Sequence, residues 1–186
     1  MEQPGVRDPA PAPLDVVQDL VNTVDLEGGD EGWRTPADLA AWLRARGIVP
    51  GEPDAGTLAA AVVLREALRD VCSAHTGVDV PADALRDLNA LLAAAPLRLV
   101  ADAEGGARVR PAAGLTGLPA LTAEVAAAVS AAVAEGTWQR LKACAADTCR
   151  WVYYDRSPAG RSRWCTMAIC GSRAKMRTYR RRRSTA

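Results

Sequence analysis

Four cysteines near the C-terminus have the spacing of a metal site. Four residues separate Cys144 from Cys149, four separate Cys165 from Cys170, and fifteen lie between the two pairs. Zinc takes four thiolates in a tetrahedron, and two short loops that each supply two of them close that geometry with little chain to order. The pattern therefore predicts one structural zinc ion (Zn2+) with four protein ligands.

Three other roles would use the same cysteines. In an exported protein they would form disulfides, but the N-terminus shows no basic segment followed by an apolar one, as a signal peptide would. An iron–sulfur cluster also takes four thiolates, and reduced thiols need have no ligand at all. We expect zinc, because closely spaced cysteines in a cytoplasmic protein are more often metal ligands than disulfides.

The charge of the chain is divided unevenly between its two parts. Residues 137–186 contain 13 Lys and Arg against 2 Asp and Glu, a net charge of +11, whereas residues 1–136 contain 10 and 20, a net charge of −10. A split of this size indicates two units with different partners. The basic unit is the candidate for binding an anionic polymer.

Basic side chains around the second cysteine pair predict a DNA-binding surface. On a helix that starts near Met167, Arg173, Arg177 and Arg180 would share a face and neutralise phosphates. The residues predicted to contact nucleic acid are Arg161, Arg163, Arg173, Lys175, Arg177, Arg180 and Arg181. A solvated basic tail, RNA and an acidic protein surface are the alternatives. Nearby aromatic residues would either stack on bases or form a small core around the metal, and we expect the core for Trp151 and Trp164.

Hydrophobic periodicity predicts the elements that position these residues. Helical spacing favours helices over 14–24, 36–46, 55–74, 82–95 and 119–134, and 97–101 and 107–110 are typical of a β-hairpin. In the basic unit, 151–154 and 161–164 are predicted to pair as a second hairpin before the last helix. The predicted fold class is α+β, with a disordered N-terminus (1–13), a mostly helical N-terminal domain with a small β-hairpin (14–136), and a treble-clef-like zinc finger with a basic tail (137–186).

Residues outside the finger offer little chemistry. The sequence has no acidic dyad, Ser-His-Asp series or glycine-rich phosphate loop, and His75 beside Cys72 is more typical of packing than of catalysis, so we expect no enzyme. Asn22, Thr23, Trp33 and Arg65 are candidates to line a polar pocket for a small-molecule effector, or else make ordinary helix hydrogen bonds. The sequence contains no run of about 18 uncharged apolar residues, so no membrane span is predicted. We therefore expect a cytoplasmic protein, whose effector and oligomeric state the sequence leaves open.

Several segments resemble a known family. Residues 138–144, 149–157 and 163–175 are similar to the CGNR zinc finger, which is named for a Cys-Gly-Asn-Arg tetrapeptide that here begins at Cys170. The segments 19–23 and 64–69 resemble the usual companion of that finger, the ABATE domain. The resemblance implies a bacterial, stress-related transcription regulator whose finger binds DNA and whose four cysteines bind zinc. Ser172 replaces the Asn of the motif, which leaves the metal untouched but removes any hydrogen bond of the Asn amide.

Regulation and rival functions also follow from these patterns. The acidic N-terminal unit is expected to contact the basic finger electrostatically, which would be an autoinhibitory arrangement. The rival functions are a zinc-stabilised module that binds protein or RNA, and a thiol-based redox sensor that loses zinc on oxidation.

Overall fold

The computed structural model describes residues 7–184, which form six α-helices and three two-stranded antiparallel sheets. This arrangement confirms the predicted α+β class. In chain order the elements are α1 (Asp15–Val21), β1 (Val24–Asp25), β2 (Asp30–Glu31), α2 (Pro36–Ala45), α3 (Ala55–Ala74), α4 (Ala82–Ala93), β3 (Leu97–Ala101), β4 (Ala107–Pro111), α5 (Gly117–Ala134), a short 3-10 turn (Trp138–Arg140), β5 (Leu141–Ala143), β6 (Val152–Tyr154), a π-helical turn (Met167–Gly171) and α6 (Ser172–Ser184).

Local sequence signals set the starts of the helices. At α2 the Thr35 hydroxyl accepts a hydrogen bond from Asp38 N, and the Asp38 carboxylate accepts one from Thr35 N at 2.8 Å, which is a capping box. At α3 the Asp54 carboxylate accepts from Thr57 N at 2.7 Å. These side chains satisfy backbone donors that the first turn of a helix leaves free.

One hydrophobic core joins the helices to the basic C-terminal unit. Leu20 of α1, Leu64 of α3 and Leu121 of α5 are fully buried in it. Leu141 of β5 and Val152 of β6 are buried in the same cluster with no exposed surface. The acidic and basic parts of the chain therefore share one hydrophobic core, because the hairpin of the basic unit packs directly on the helices.

The predicted pairing of this hairpin is wrong. Strand β6 pairs with β5, with Leu141 opposite Tyr154 and Ala143 opposite Val152, and not with 161–164. The reason is burial: the side chains of both β5 and β6 are buried, whereas Arg161 and Arg163 are exposed in an irregular segment. The first cysteine pair consequently lies in the loop between the two strands.

The N-terminal segment also differs from the prediction of disorder over 1–13. Residues 1–6 lie outside the described part of the chain, but 7–13 pack on the fold. Ala10 is buried and its N–H donates to Gln18 Oε1 at 2.5 Å. The Arg7 guanidinium donates to the carbonyl groups of Cys165, Tyr154 and Trp164 and lies 4.5 Å from the centre of the Tyr153 ring. A polar, Pro-rich composition does not reveal such long-range hydrogen bonds to backbone carbonyls.

One helix of the described residues, α5, is long and apolar enough to cross a membrane by length and composition alone. Half of it is buried inside the fold, where Leu121 and Val125 are fully buried. Its apolar character thus serves the core, which fits a soluble protein.

Candidate metal centre and basic helix

The four cysteines come from two loops on either side of β6. Cys144 follows β5, and its N–H donates to Trp151 O at 2.9 Å. Cys149 lies in the turn before β6, where its N–H donates to Ala146 O at 2.9 Å and Arg150 adopts a positive φ of 46°. Cys165 and Cys170 lie just before and within the π-helical turn, whose start is capped by the Thr166 hydroxyl. Tight backbone turns thus direct both pairs toward one point.

The sulfur atoms have the separation that a single zinc ion requires. All four Sγ atoms lie within 4.8 Å of one another and all four residues are buried. Cys165 Sγ is 3.7 Å from Cys149 Sγ and 3.6 Å from Cys170 Sγ. A regular tetrahedron with Zn–S bonds of about 2.3 Å has sulfur atoms about 3.8 Å apart. The four free thiols therefore suit one structural zinc ion, whereas a disulfide would bring two sulfurs to about 2.05 Å.

The thiols also perturb the ionisation of one another. Hydrogen bonds from Cys149 and Cys165 lower the pKa of Cys144. The hydrogen bond to Cys144 is the main cause that raises the pKa of Cys149 and also raises the pKa of Cys165, while burial raises the pKa of Cys170. Four thiolates cannot accumulate here by themselves, because each negative charge opposes the next. A divalent cation supplies the charge that four thiolates need.

Aromatic residues form a small core around the sulfur atoms. Trp151 and Tyr153 are buried in one cluster with the four cysteines and Ala146, and Trp164 packs against it. The Tyr153 hydroxyl donates to Ser162 O at 2.9 Å. This arrangement favours packing over base stacking for Trp151, as expected.

A buried ion pair supports the loop between β6 and Cys165. Lys142 Nζ lies 2.9 Å from Asp155 Oδ2, and both side chains are almost fully buried. The Asp155 carboxylate also caps the following turn, since it accepts from Ser157 N at 3.0 Å. Sequence reasoning missed Lys142 because its partner lies across the hairpin.

The ionisation of Asp155 reflects these contacts. Burial opposes its charge, but hydrogen bonds from the Ser157 hydroxyl, Lys142 and the backbone N–H groups of Ser157 and Ser162 outweigh burial and lower its pKa to about 2. Asp155 is thus a carboxylate that holds the 157–162 loop in place.

Two family models match the chain. Residues 140–183 match the CGNR zinc finger, and residues 14–136 match ABATE, described as "Putative stress-induced transcription regulator". The ABATE match alone covers more than half of the chain. The chain belongs to the ABATE family. The order of the two matches confirms the resemblance found in the sequence, and a search of curated proteins found no match.

The CGNR finger carries its basic residues on an exposed helix. Arg173, Arg177 and Arg180 line one groove of about 570 Å³ together with Ile169 and Met176. Lys175 and Arg181 are exposed on the same helix, and Arg161 and Arg163 are exposed in the preceding loop. The predicted helical face therefore exists, and nucleic-acid contact by these seven residues stays a prediction.

The tetrapeptide of the CGNR motif has a local structural role. The hydroxyl of Ser172, which replaces the motif Asn, donates to Met167 O at 3.0 Å within the π-helical turn. Gly171 is buried, and a Cβ there would lie 2.7 Å from Met167 Sδ and 3.3 Å from a Trp164 ring carbon. Glycine thus lets the turn pack closely, and serine satisfies one of its carbonyl groups.

The predicted pocket residues of the ABATE domain differ in what they contact. Asn22 binds the finger, because its amide accepts from Val152 N at 2.9 Å and donates to Val152 O at 2.7 Å. Arg65 forms two 2.8 Å contacts with Glu31 and donates to Thr23 Oγ1 at 3.2 Å. Asn22, Thr23 and Trp33 line one cavity, and Arg65 is not among its lining residues.

Arg69, which lies in the predicted helix 55–74 and has no predicted role, is fully buried between the domain and the finger. Its guanidinium donates to Val21 O at 2.6 Å, to Arg150 O at 3.1 Å and to Glu66 at 2.9 Å. The one signal in the sequence is its place on the buried face of α3, beside Leu68 and Cys72. Arg69 and Asn22 together attach the first cysteine loop and β6 to the ABATE domain.

Proposed function

We propose that this protein is a cytoplasmic, DNA-binding transcription regulator in which the CGNR finger contacts DNA and the ABATE domain senses a small molecule. The observation that carries the proposal is the composition and exposure of α6. Seven of its 13 residues are Lys or Arg and none is acidic. The helix starts at the metal centre, so the zinc ion fixes the direction in which these charges project.

The dimensions of α6 suit the major groove of DNA. Thirteen helical residues span about 20 Å, and B-DNA accepts one α-helix in its major groove. Arg173, Arg177 and Arg180 line one side of this helix. Guanidinium groups in such a row neutralise phosphates or bind guanine edges bidentately.

The environments of His75 and Cys72, whose side chains could serve in catalysis, support binding rather than catalysis. His75 Nδ1 lies 2.6 Å from Leu141 O, so the carbonyl holds that nitrogen as a donor. Cys72 is fully buried, and burial raises its pKa to about 12, which keeps it a neutral thiol. We therefore propose that the protein is not an enzyme.

The ABATE domain also contacts the basic helix. The carboxylate of Glu27, in the loop between β1 and β2, pairs with the Arg173 guanidinium. This pair supports the autoinhibitory arrangement, because a phosphate at Arg173 would have to displace Glu27. The shared core means that removal of residues 1–136 would expose the finger hairpin, so single substitutions test autoinhibition better than deletion.

Salt-dependent binding tests the function. We expect the zinc-loaded full chain to bind fluorescent duplex DNA, with log affinity falling against log salt at about −0.9 per phosphate contacted. Arg177→Gln should weaken binding and make the slope shallower by the contribution of about one phosphate contact. Arg86→Gln, which changes an exposed arginine of α4, is the matched control and should change neither. No binding at low salt, or equal loss in both variants, would contradict DNA binding.

Exposed apolar residues favour one second function. Met167, Met176 and Tyr179 are each more than half exposed beside the basic residues of α6. Methionine-rich surfaces are common where proteins bind other proteins. A zinc-stabilised interaction module would keep its metal and show no affinity for DNA or RNA in the same titration.

A further inference from the structure

Two large apolar side chains lie exposed among the arginines of the basic helix. Ile169, in the π-helical turn, is 39% exposed, and Met176, in α6, is 52% exposed. Both line the groove that also holds Arg173, Arg177 and Arg180. Phosphate contacts use the arginines and leave Ile169 and Met176 without a role. The groove therefore offers a partner both positive charge and apolar contact.

Basic side chains flank Met176 on both sides of α6. Arg173 and Arg177 lie in the groove with Met176, whereas Lys175 and Arg182 line a separate groove. With 3.6 residues per turn, these two pairs of basic residues lie on opposite sides of Met176. The phosphates of a B-DNA duplex likewise follow both walls of its major groove, and the base edges form the floor between them. Charge on both flanks with an apolar side chain between them matches this groove.

The floor of the major groove contains one apolar group that distinguishes the bases. Thymine presents its C5 methyl group there, whereas the other three bases present hydrogen-bonding groups and no methyl. Ile169 and Met176 are seven positions apart, which is about 10 Å along a helix, against a rise of about 3.4 Å per base pair. The two side chains therefore reach different base pairs.

The charge of α6 opposes a second copy of this chain as the partner of the groove. The helix carries seven basic residues and no acidic one, so two such helices repel each other. Duplex RNA fits less well than DNA, because the major groove of an A-form helix is too deep and narrow for side chains to read. Duplex DNA satisfies both the charge and the shape of the helix.

We propose that Ile169 and Met176 contact thymine methyl groups in the major groove of duplex DNA and are specificity-determining residues of the finger. The basic residues on either side of Met176 bind the phosphates of the two strands. This inference rests on the DNA-binding half of the proposed function, and it adds the base that the finger prefers.

Two duplexes that differ only in the methyl group test the contact. One is a short fluorescent duplex of alternating A and T, and the other has deoxyuridine in place of every thymine, with the same phosphates and the same hydrogen-bonding groups. The zinc-loaded full chain should bind the thymine duplex about fourfold more tightly for each methyl group that it buries. The slope of log affinity against log salt should be equal for the two duplexes, because the phosphate contacts do not change.

Variants locate the contact on the helix. Met176→Ala keeps a good helix former and should bring the ratio of the two affinities closer to one by weakening binding to the thymine duplex. Adding Ile169→Ala should remove the preference. Val133→Ala, which shortens an exposed apolar side chain of α5, is the control and should leave the ratio unchanged. Native mass spectrometry checks that each variant keeps its zinc ion, so that a loss of fold is recognised.

The outcomes separate this inference from the proposed function. Equal affinity of the unaltered chain for the two duplexes would overturn the thymine contact and leave DNA binding standing. A preference for thymine that persists in the double variant would overturn the role of Ile169 and Met176. Absence of binding to either duplex at low salt would overturn both proposals and favour a protein partner for the groove.

Discussion

Replacement of Asn22 by Ala should strongly destabilise the whole protein, because this amide joins the two family domains. Asn22 accepts from Val152 N at 2.9 Å and donates to Val152 O at 2.7 Å, and both residues are buried. Gln18 Nε2 also donates to Val152 O at 3.1 Å, so the carbonyl keeps a partner in the variant. Val152 N–H loses the partner that Asn22 provides.

The magnitude follows from these contacts. A hydrogen bond contributes about 1 kcal/mol net, and a buried donor left unpaired costs about 1–3 kcal/mol. The backbone of Asn22 has a φ of −86°, which Ala adopts without strain, so no backbone penalty is added. We expect the free energy of unfolding to fall by about 2–3 kcal/mol.

Urea unfolding of the zinc-loaded protein measures this change. With a slope of about 2 kcal/mol per M, the midpoint should fall by about 1–1.5 M. Asn89→Ala, at an exposed site on α4, is the matched control and should shift the midpoint by less than about 0.25 M. Equal midpoints for Asn22→Ala and the control would refute the role of Asn22 as the joint between domain and finger.

Three further predictions test the ion pairs and the single histidine. Lys142→Met leaves a buried carboxylate without its cation and should cost about 3 kcal/mol in urea unfolding; a cost below about 1 kcal/mol would contradict the pairing. Burial, with a smaller contribution from Lys142, lowers the pKa of His75, so the unfolded chain binds its proton more readily. The free energy of unfolding should therefore fall as pH decreases from above the ordinary histidine pKa of 6.5 through the lower pKa of the folded state. The fall should be smaller in His75→Gln. Equal pH dependence of the melting temperatures of the two proteins would oppose this. Glu27→Gln frees Arg173 and should raise DNA affinity several-fold in the titration with fluorescent duplex DNA, while Asp30→Asn at the start of β2 should have a smaller effect; equal effects would argue against a specific contact.

Local patterns allowed the metal ligands and most helices to be predicted. The spacing of Cys144, Cys149, Cys165 and Cys170 is a short-range signal, because each pair needs only a tight turn to present two thiolates. The start of α2 was equally clear, since Thr35 and its partner three residues later form a capping box within one turn.

Long-range contacts could not be predicted in the same way. Strands β5 and β6 have three residues each, too few for alternation to specify a partner or register. The buried contacts of Lys142 and Arg69 join residues far apart in the chain. In the sequence, a Lys or Arg at these positions looks like a residue on the exposed face of a strand or helix. The packing of Arg7 on the second cysteine loop likewise depends on carbonyl groups that only the folded chain brings together.

Native mass spectrometry of the undenatured protein tests the central claim most directly. The expected mass equals that of the chain plus one zinc ion minus the protons that the thiols release. Cys170→Ser should carry no bound zinc at the same zinc concentration. A metal-free mass for the folded protein, or a mass lowered by the hydrogens lost in forming disulfides, would contradict it.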